Sequence, residues 1–172
     1  MHRRLILMRH AKSAWDTDTQ ADHDRPLARR GKEDAARMAL ALSDRGWLPD
    51  LVYTSTAKRA RQTWKRMADA LGEAGAAIAV ISVDDFYMGD LDTLHGHAAR
   101  WPHEVDTVLV LGHNPGWEEA LRVLTGGDDV LTTGNAALLA GSGITWVEAL
   151  EDRWHLVALL RPRELSGPDA AE

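Results

Sequence analysis

The stretch Leu5-Ile6-Leu7-Met8-Arg9-His10 sets four consecutive apolar residues against an arginine and a histidine. A short unbroken apolar run reads as a strand buried on both faces, because a half-exposed strand would alternate. Its carboxyl end presents Arg9-His10. Working outward, residues 31–45 place Ala35, Met38, Ala39 and Leu42 on one stripe of an amphipathic helix, closed by Gly46 and Pro49. Leu51-Val52-Tyr53 is a second short strand. Thr54, Ser55 and Thr56 offer capping hydroxyls to a helix over 57–71, with Ala60, Trp64, Met67 and Leu71 inward, which puts Arg59 in its first turn. A third strand is expected over 76–83, then an acidic and aromatic loop over 84–90 and a helix over 91–100. Residues 107–111 read as another buried strand. Gly112-His113-Asn114-Pro115 then turns the chain into a helix, with Asn114 as cap and Pro115 at the first helical position. Residues 143–150 and 154–160, either side of Glu151-Asp152-Arg153, read as a hairpin and add an antiparallel component. The domain is expected to span 1–162, with a frayed tail over 163–172.

Alternating strands and helices signify a three-layer α/β/α sandwich on a mainly parallel sheet. Ligands of such folds bind beyond the carboxyl ends of the strands, where Arg9, His10, Arg59, Asp84, Asp85 and His113 all fall. Arginine offers a rigid fork of donors matched to phosphate oxygens, and a neutral imidazole either donates a hydrogen bond or attacks. Two of each at one sheet edge suit a phosphoryl group.

Composition closes other routes. The chain has 172 residues and no cysteine, which removes thiolate nucleophiles, redox motifs and cysteine-ligated zinc. Its length fits one domain of roughly 100–200 residues, able to bury about 70% of its unfolded surface without a disulfide or metal staple. A formal charge of −6 argues against a general nucleic-acid partner. No apolar run approaches the roughly 20 residues of a membrane span, and Leu5 to Met8 falls far short of a signal peptide's apolar region. A soluble protein of the cytoplasm is expected.

In chain order, Leu7-Met8-Arg9-His10-Ala11-Lys12-Ser13, Arg25-Pro26-Leu27 followed by Arg30-Gly31, Ser55-Thr56-Ala57-Lys58-Arg59-Ala60-Arg61-Gln62-Thr63 and Gly112-His113-Asn114-Pro115 resemble the motifs of the histidine phosphatase superfamily. That superfamily includes cofactor-dependent phosphoglycerate mutases and SixA-type phosphohistidine phosphatases. The short chain and the Arg-Pro-Leu motif are most similar to the SixA branch. The resemblance implies a phosphoglycerate mutase-like fold in which His10 attacks phosphorus and carries the phosphoryl group, while Arg9, Arg59 and His113 clamp its non-bridging oxygens. It implies no metal and no cofactor. Arg25 is similar to the family's accessory phosphate-side arginine, and Lys12, Ser13, Trp15 and Asn114 are further candidates for the pocket. Histidine, with an intrinsic pKa near 6.5, is expected neutral beside Arg9 and Arg59. The mutases place a glutamate four residues before a glycine after the third strand, and that position here is Asp85. An alkoxide leaving group needs a proton from such an acid, whereas imidazole departs tolerably without one, so Asp85 (or Asp84) as general acid would widen the substrate range.

Competing readings are weaker. Asp16-Thr17-Asp18-Thr19 matches the nucleophile motif of haloacid-dehalogenase-type phosphatases but starts six residues after His10 rather than at the strand's end. Asp90-Leu91-Asp92-Thr93 follows a loop. His95, His97 and His103 invite a metal, yet His-x-His on a helix points the rings about 200° apart, so surface histidines are expected. A non-catalytic phosphate-binding module is a further alternative. The expectation is a metal-independent phosphatase acting through phospho-His10 on a phosphohistidine-bearing protein, with a small phosphate ester as the alternative substrate and no nucleic-acid or membrane partner.

Overall fold

A computed structural model describes residues 1–18 and 21–165. Strands β1 (His2–Arg9), β2 (Leu51–Ser55), β3 (Ala79–Val83), β4 (Thr107–Gly112), β5 (Ala136–Ser142) and β6 (His155–Leu160) form one sheet in the order β3-β2-β4-β1-β5-β6. The pairs β1/β4, β4/β2 and β2/β3 are parallel, and β5 runs antiparallel to both β1 and β6. The helices are α1 (Arg29–Asp44), α2 (Lys58–Leu71), a single turn α3 (Glu73–Ala76), α4 (Leu91–Ala98), α5 (Gly116–Thr125) and α6 (Trp146–Glu151).

The pleat sorts the core into two halves. Leu5 and Leu7 of β1 join Val108, Val110 and Leu139 beneath Leu94, Trp117 and Trp146 of α4, α5 and α6. Ile6 and Met8 join Leu109, Leu111 and Leu138 on the opposite face, under Met38, Leu42, Trp64 and Met67 of α1 and α2. Helices therefore cover both faces, which is why β1 and β4 read as unbroken apolar runs. Leu5, Ile6, Leu7 and Met8 are all 0% exposed, and each such side chain contributes about 1.5–3 kcal/mol.

Four expectations need correction. Residues 143–150 are not a strand: Thr145 accepts from the Glu148 N–H, the Glu148 side chain accepts from the Thr145 N–H, and this capping box starts α6. The reversed strand is β5, formed by the small-residue run Ala136–Ser142. Asn114 does not cap α5, whose first residue follows Pro115; its side chain donates to the Leu131 carbonyl instead, at 2.7 Å. No side-chain hydroxyl caps α2, although the Ser55 hydroxyl accepts from the Ala57 N–H. Part of the third strand's expected span is the helical turn α3. At the other end, Pro162–Glu164 forms a 3-10 turn with Pro162 buried, and residues 166–172 of the expected tail lie outside the described residues.

Register aligns the chemistry. Arg9 of β1 is level with Gly112 of β4, and Thr54 of β2 with Leu111, so His10, the start of α2 and His113 emerge at one edge. The amino end of β5 returns to that edge, with Ala136 opposite Met8. The Arg-Pro-Leu motif is fixed here by backbone. Ser13 bridges Leu27, the Ala28 N–H donates to Lys12 O, and Gly31 lies so close that a Cβ there would sit 2.1 Å from the same carbonyl.

Candidate active site

His10 is 6% exposed, and its Nδ1 lies 2.7 Å from the Ala11 carbonyl. A carbonyl only accepts, so Nδ1 carries the proton and Nε2 keeps its lone pair. The Arg59 Nε–H donates toward that lone pair at 3.4 Å. The His113 ring lies 5.0 Å from that of His10, centroid to centroid, and its Nε2 is 2.8 Å from the Ser55 hydroxyl. Among the described residues, neither the buried His113 Nδ1 nor the buried Arg9 Nε has a partner. Both atoms have hydrogen-bonding capacity that the described side chains and backbone leave unused. Arg9 is braced from behind by the Leu131 carbonyl, 3.1 Å from its Nη1.

Electrostatics keep both imidazoles neutral. Burial pushes His10 down to about 4, with the guanidinium groups of Arg59, Arg9 and Arg25 adding to it against the Ala11 carbonyl. Burial, followed by His10 and Arg59, pushes His113 down to about 3. Thr63 ties helix to strand: its hydroxyl accepts from the Ala11 N–H at 3.0 Å and donates to the Arg59 carbonyl at 2.7 Å.

Beside these groups opens a cavity of about 370 Å³, lined by Asp22, Arg59, Tyr87, Asp90, His113 and Glu119 among others. Arg59, His113 and Asn114 line it, and His10 is buried against the first two. Arg25 reaches the rim. Its Nη1 donates to Ser13 Oγ at 2.9 Å, its Nε donates to Asp22 Oδ1 at 3.0 Å, and its guanidinium stacks 3.5 Å from the ring centroid of the exposed Trp15. The Ser13 hydroxyl thus meets Arg25. Lys12 contributes its carbonyl to the packing of α1.

Asp85 is not brought together with the others. The 3-10 turn Asp84–Met88 directs its carboxylate outward to His97 Nε2, 3.1 Å away, and both line a neighbouring cavity of about 670 Å³. His95 meets the Leu150 carbonyl on another side of α4, 3.2 Å away.

Two residues that the sequence did not single out stand at the cavity. Asp22 accepts from Arg59 Nη2 at 3.0 Å through Oδ2, and its backbone carbonyl accepts from Arg59 Nη1 at 2.8 Å. Tyr87 donates its hydroxyl to the same Oδ2. The Tyr87 hydrogen bond, then Arg25 and Arg59, hold the Asp22 carboxyl well below the usual range, and Asp22 in turn raises the Tyr87 phenol. The only local signal was the Asp22–Arg25 spacing. The decisive contacts span 37 and 65 residues.

A buried imidazole whose unprotonated nitrogen faces the Arg59 Nε–H, with a second imidazole 5.0 Å away, is a constellation able to take up a phosphoryl group. The family model described as Histidine phosphatase superfamily (branch 1) matches residues 5–125. The chain belongs to the histidine phosphatase superfamily. An uncharacterized chloroplastic protein of Arabidopsis thaliana is 40% identical, over 93% of this chain and 78% of its own length. Among solved structures, one from Agrobacterium tumefaciens that carries the name phosphohistidine phosphatase SixA superposes with a TM-score of 0.78 at 31% identity, covering 93% of this chain and 98% of that one. A second of that name, from Nakamurella multipartitia, gives 0.77 at 30% identity, covering 94% and 97%. This histidine phosphatase is a hydrolase with a phosphoglycerate mutase-like, SixA-like fold. Among its described residues no helix is long and apolar enough to cross a membrane.

Proposed function

We propose that this histidine phosphatase hydrolyses phosphohistidine carried on another protein, without a metal, through a phosphorylated His10. The observation that carries the reading is the unprotonated Nε2 of His10, whose lone pair is kept by the Nδ1–Ala11 contact and faces the Arg59 Nε–H at 3.4 Å. Its lone pair forms a new bond to phosphorus in line, as the substrate's phosphorus–nitrogen bond breaks and leaves its electron pair on the departing imidazole. The Ala11 carbonyl then stabilises the Nδ1–H of phospho-His10. Water attacks the phosphorus in a second step and releases inorganic phosphate and free His10.

Arg9, Arg59 and His113 hold the non-bridging oxygens where charge is spread in the transition state. Arg59 suits this because its five donors exceed its protein partners: one goes toward His10 and two to Asp22, leaving one on each terminal nitrogen. The Ser55 hydroxyl, donating to Nε2 of His113, leaves the orphaned Nδ1–H for a phosphoryl oxygen.

The preference for phosphohistidine is supported by the SixA-named relatives and by the ionised state of Asp22, which has no proton to give an alkoxide. A cytoplasmic setting and a protein partner belong to the same reading. The test is hydrolysis of a phosphohistidine-bearing protein domain and of an alkyl phosphate, by wild type and His10→Ala, with and without EDTA. Phosphohistidine turnover that exceeds ester turnover, survives EDTA and vanishes in the variant is the expected result. Preference for the ester would indicate a small-molecule phosphomonoesterase, and binding without turnover of either would indicate a non-catalytic module.

A further inference from the structure

In-line attack places the leaving atom across phosphorus from His10 Nε2, and the cavity beside His10 into which a leaving group can extend is lined by Asp22. The Asp22 carboxylate offers four acceptor positions. Tyr87 and Arg59 take two on Oδ2, and Arg25 takes one on Oδ1. Among the described residues one position on Oδ1 has no partner, and the side chain is 51% exposed, so an incoming group can reach it. The carboxylate is itself held from three directions, by the first turn of α2, by the 3-10 turn after β3 and by Arg25 stacked on Trp15. Asp90 and Glu119 line the same cavity, so acidic side chains share its lining with the Arg59 guanidinium.

We propose that Asp22 selects phosphoramidate substrates by accepting the N–H of the leaving nitrogen group at the free position on Oδ1. This rests on the reading of His10 as a phosphoryl acceptor for nitrogen-linked phosphate. A phosphorylated imidazole leaves most readily when its far ring nitrogen is protonated. The phosphorus–nitrogen bond breaks, its electron pair remains on the departing nitrogen, and the imidazole leaves neutral with its far N–H intact. A fixed anion beside that N–H favours the protonated substrate and accepts its hydrogen bond throughout. The same anion offers nothing to a departing alkoxide or phenolate and repels its developing charge. Asp22 thus contributes selectivity by charge and position rather than by giving up a proton, which separates its role from that of the glutamate in the mutases.

Phosphoimidazole and p-nitrophenyl phosphate serve as the two probes, because nitrophenolate departs without protonation and has no N–H. In Asp22→Asn, kcat/KM for phosphoimidazole is expected to fall about tenfold or more beyond any fall for p-nitrophenyl phosphate, since a charged hydrogen bond becomes a neutral one. Asp22→Glu, which keeps the charge, is expected to recover most of the wild-type ratio, with urea midpoints confirming that both variants fold. Equal losses on the two probes in Asp22→Asn, with the wild type active on both, would reduce Asp22 to an anchor for Arg59 and overturn the proposal alone. A wild type that hydrolyses p-nitrophenyl phosphate but neither phosphoimidazole nor phosphohistidine would overturn it together with the reading beneath it.

Discussion

Lowering the pH from 7 to 5 protonates an ordinary histidine and is expected to leave His10 and His113 neutral, because burial pushes them down to about 4 and about 3. In the unfolded chain both return to near 6.5. Below that pH the unfolded state takes up protons that the folded state refuses, so this stability is fully present above about 6.5 and is lost as pH falls toward the folded values. For His10 the gap is about 2.5 pH units, which at about 1.4 kcal/mol each comes to roughly 3 kcal/mol by pH 4. His113 adds a loss of the same sign. Domains have only about 5–15 kcal/mol in total, so the effect is readily measured. Urea unfolding of wild type and His10→Gln at several pH values, alongside the imidazole C2–H resonances, provides the assay. The expected result is that neither resonance titrates above pH 5 and that wild-type stability falls more steeply than the variant's below pH 6, by about 1.4 kcal/mol per unit. A His10 resonance titrating near 6.5, or equal slopes, would refute the reasoning. Catalysis shares the consequence: at pH 5.5 an unperturbed imidazole is only about one-tenth neutral, whereas His10 remains almost wholly competent to attack.

Three substitutions probe the site from other sides. Arg59→Lys keeps a charge but loses the fork that spans His10 and Asp22, and kcat/KM is expected to fall by about 10²–10³. Asp85→Asn is expected to leave kcat/KM for an alkyl phosphate within about twofold, since its carboxylate faces His97, whereas loss of a true general acid lowers rates by about 10²–10⁴. Gly31→Ala drives a Cβ to 2.1 Å from the Lys12 carbonyl, between two backbones that cannot both yield; a destabilisation of at least about 3 kcal/mol in urea unfolding is expected.

Much of this was legible in the chain because periodicity and burial agree. The unbroken apolar runs of β1 and β4 and the stripes of α1 and α2 each match one structural period, and the motifs at their ends place His10, Arg59 and His113. Residues 143–150 misled because Ile144, Thr145 and Val147 carry β-branched propensity, while the Thr145/Glu148 capping box outweighed it. The run Ala136–Ser142 has little strand propensity of its own and is drawn into the sheet between β1 and β6. Counting back from Gly89 points to Asp85, but the 3-10 turn sets the direction of its side chain, and no count reveals that. Asp22 is not legible for the opposite reason: its meaning lies in contacts with Arg59 and Tyr87, far away in sequence.

The most direct measurement is chemical trapping of the phosphoenzyme. Wild type mixed with phosphoimidazole, quenched in alkali within one turnover and digested, is expected to yield a single phosphorylated peptide with the phosphoryl group on His10, and His10→Ala is expected to yield none and to turn over no substrate. Sustained hydrolysis by His10→Ala, or a phosphoryl group found on another histidine instead, would contradict the central claim.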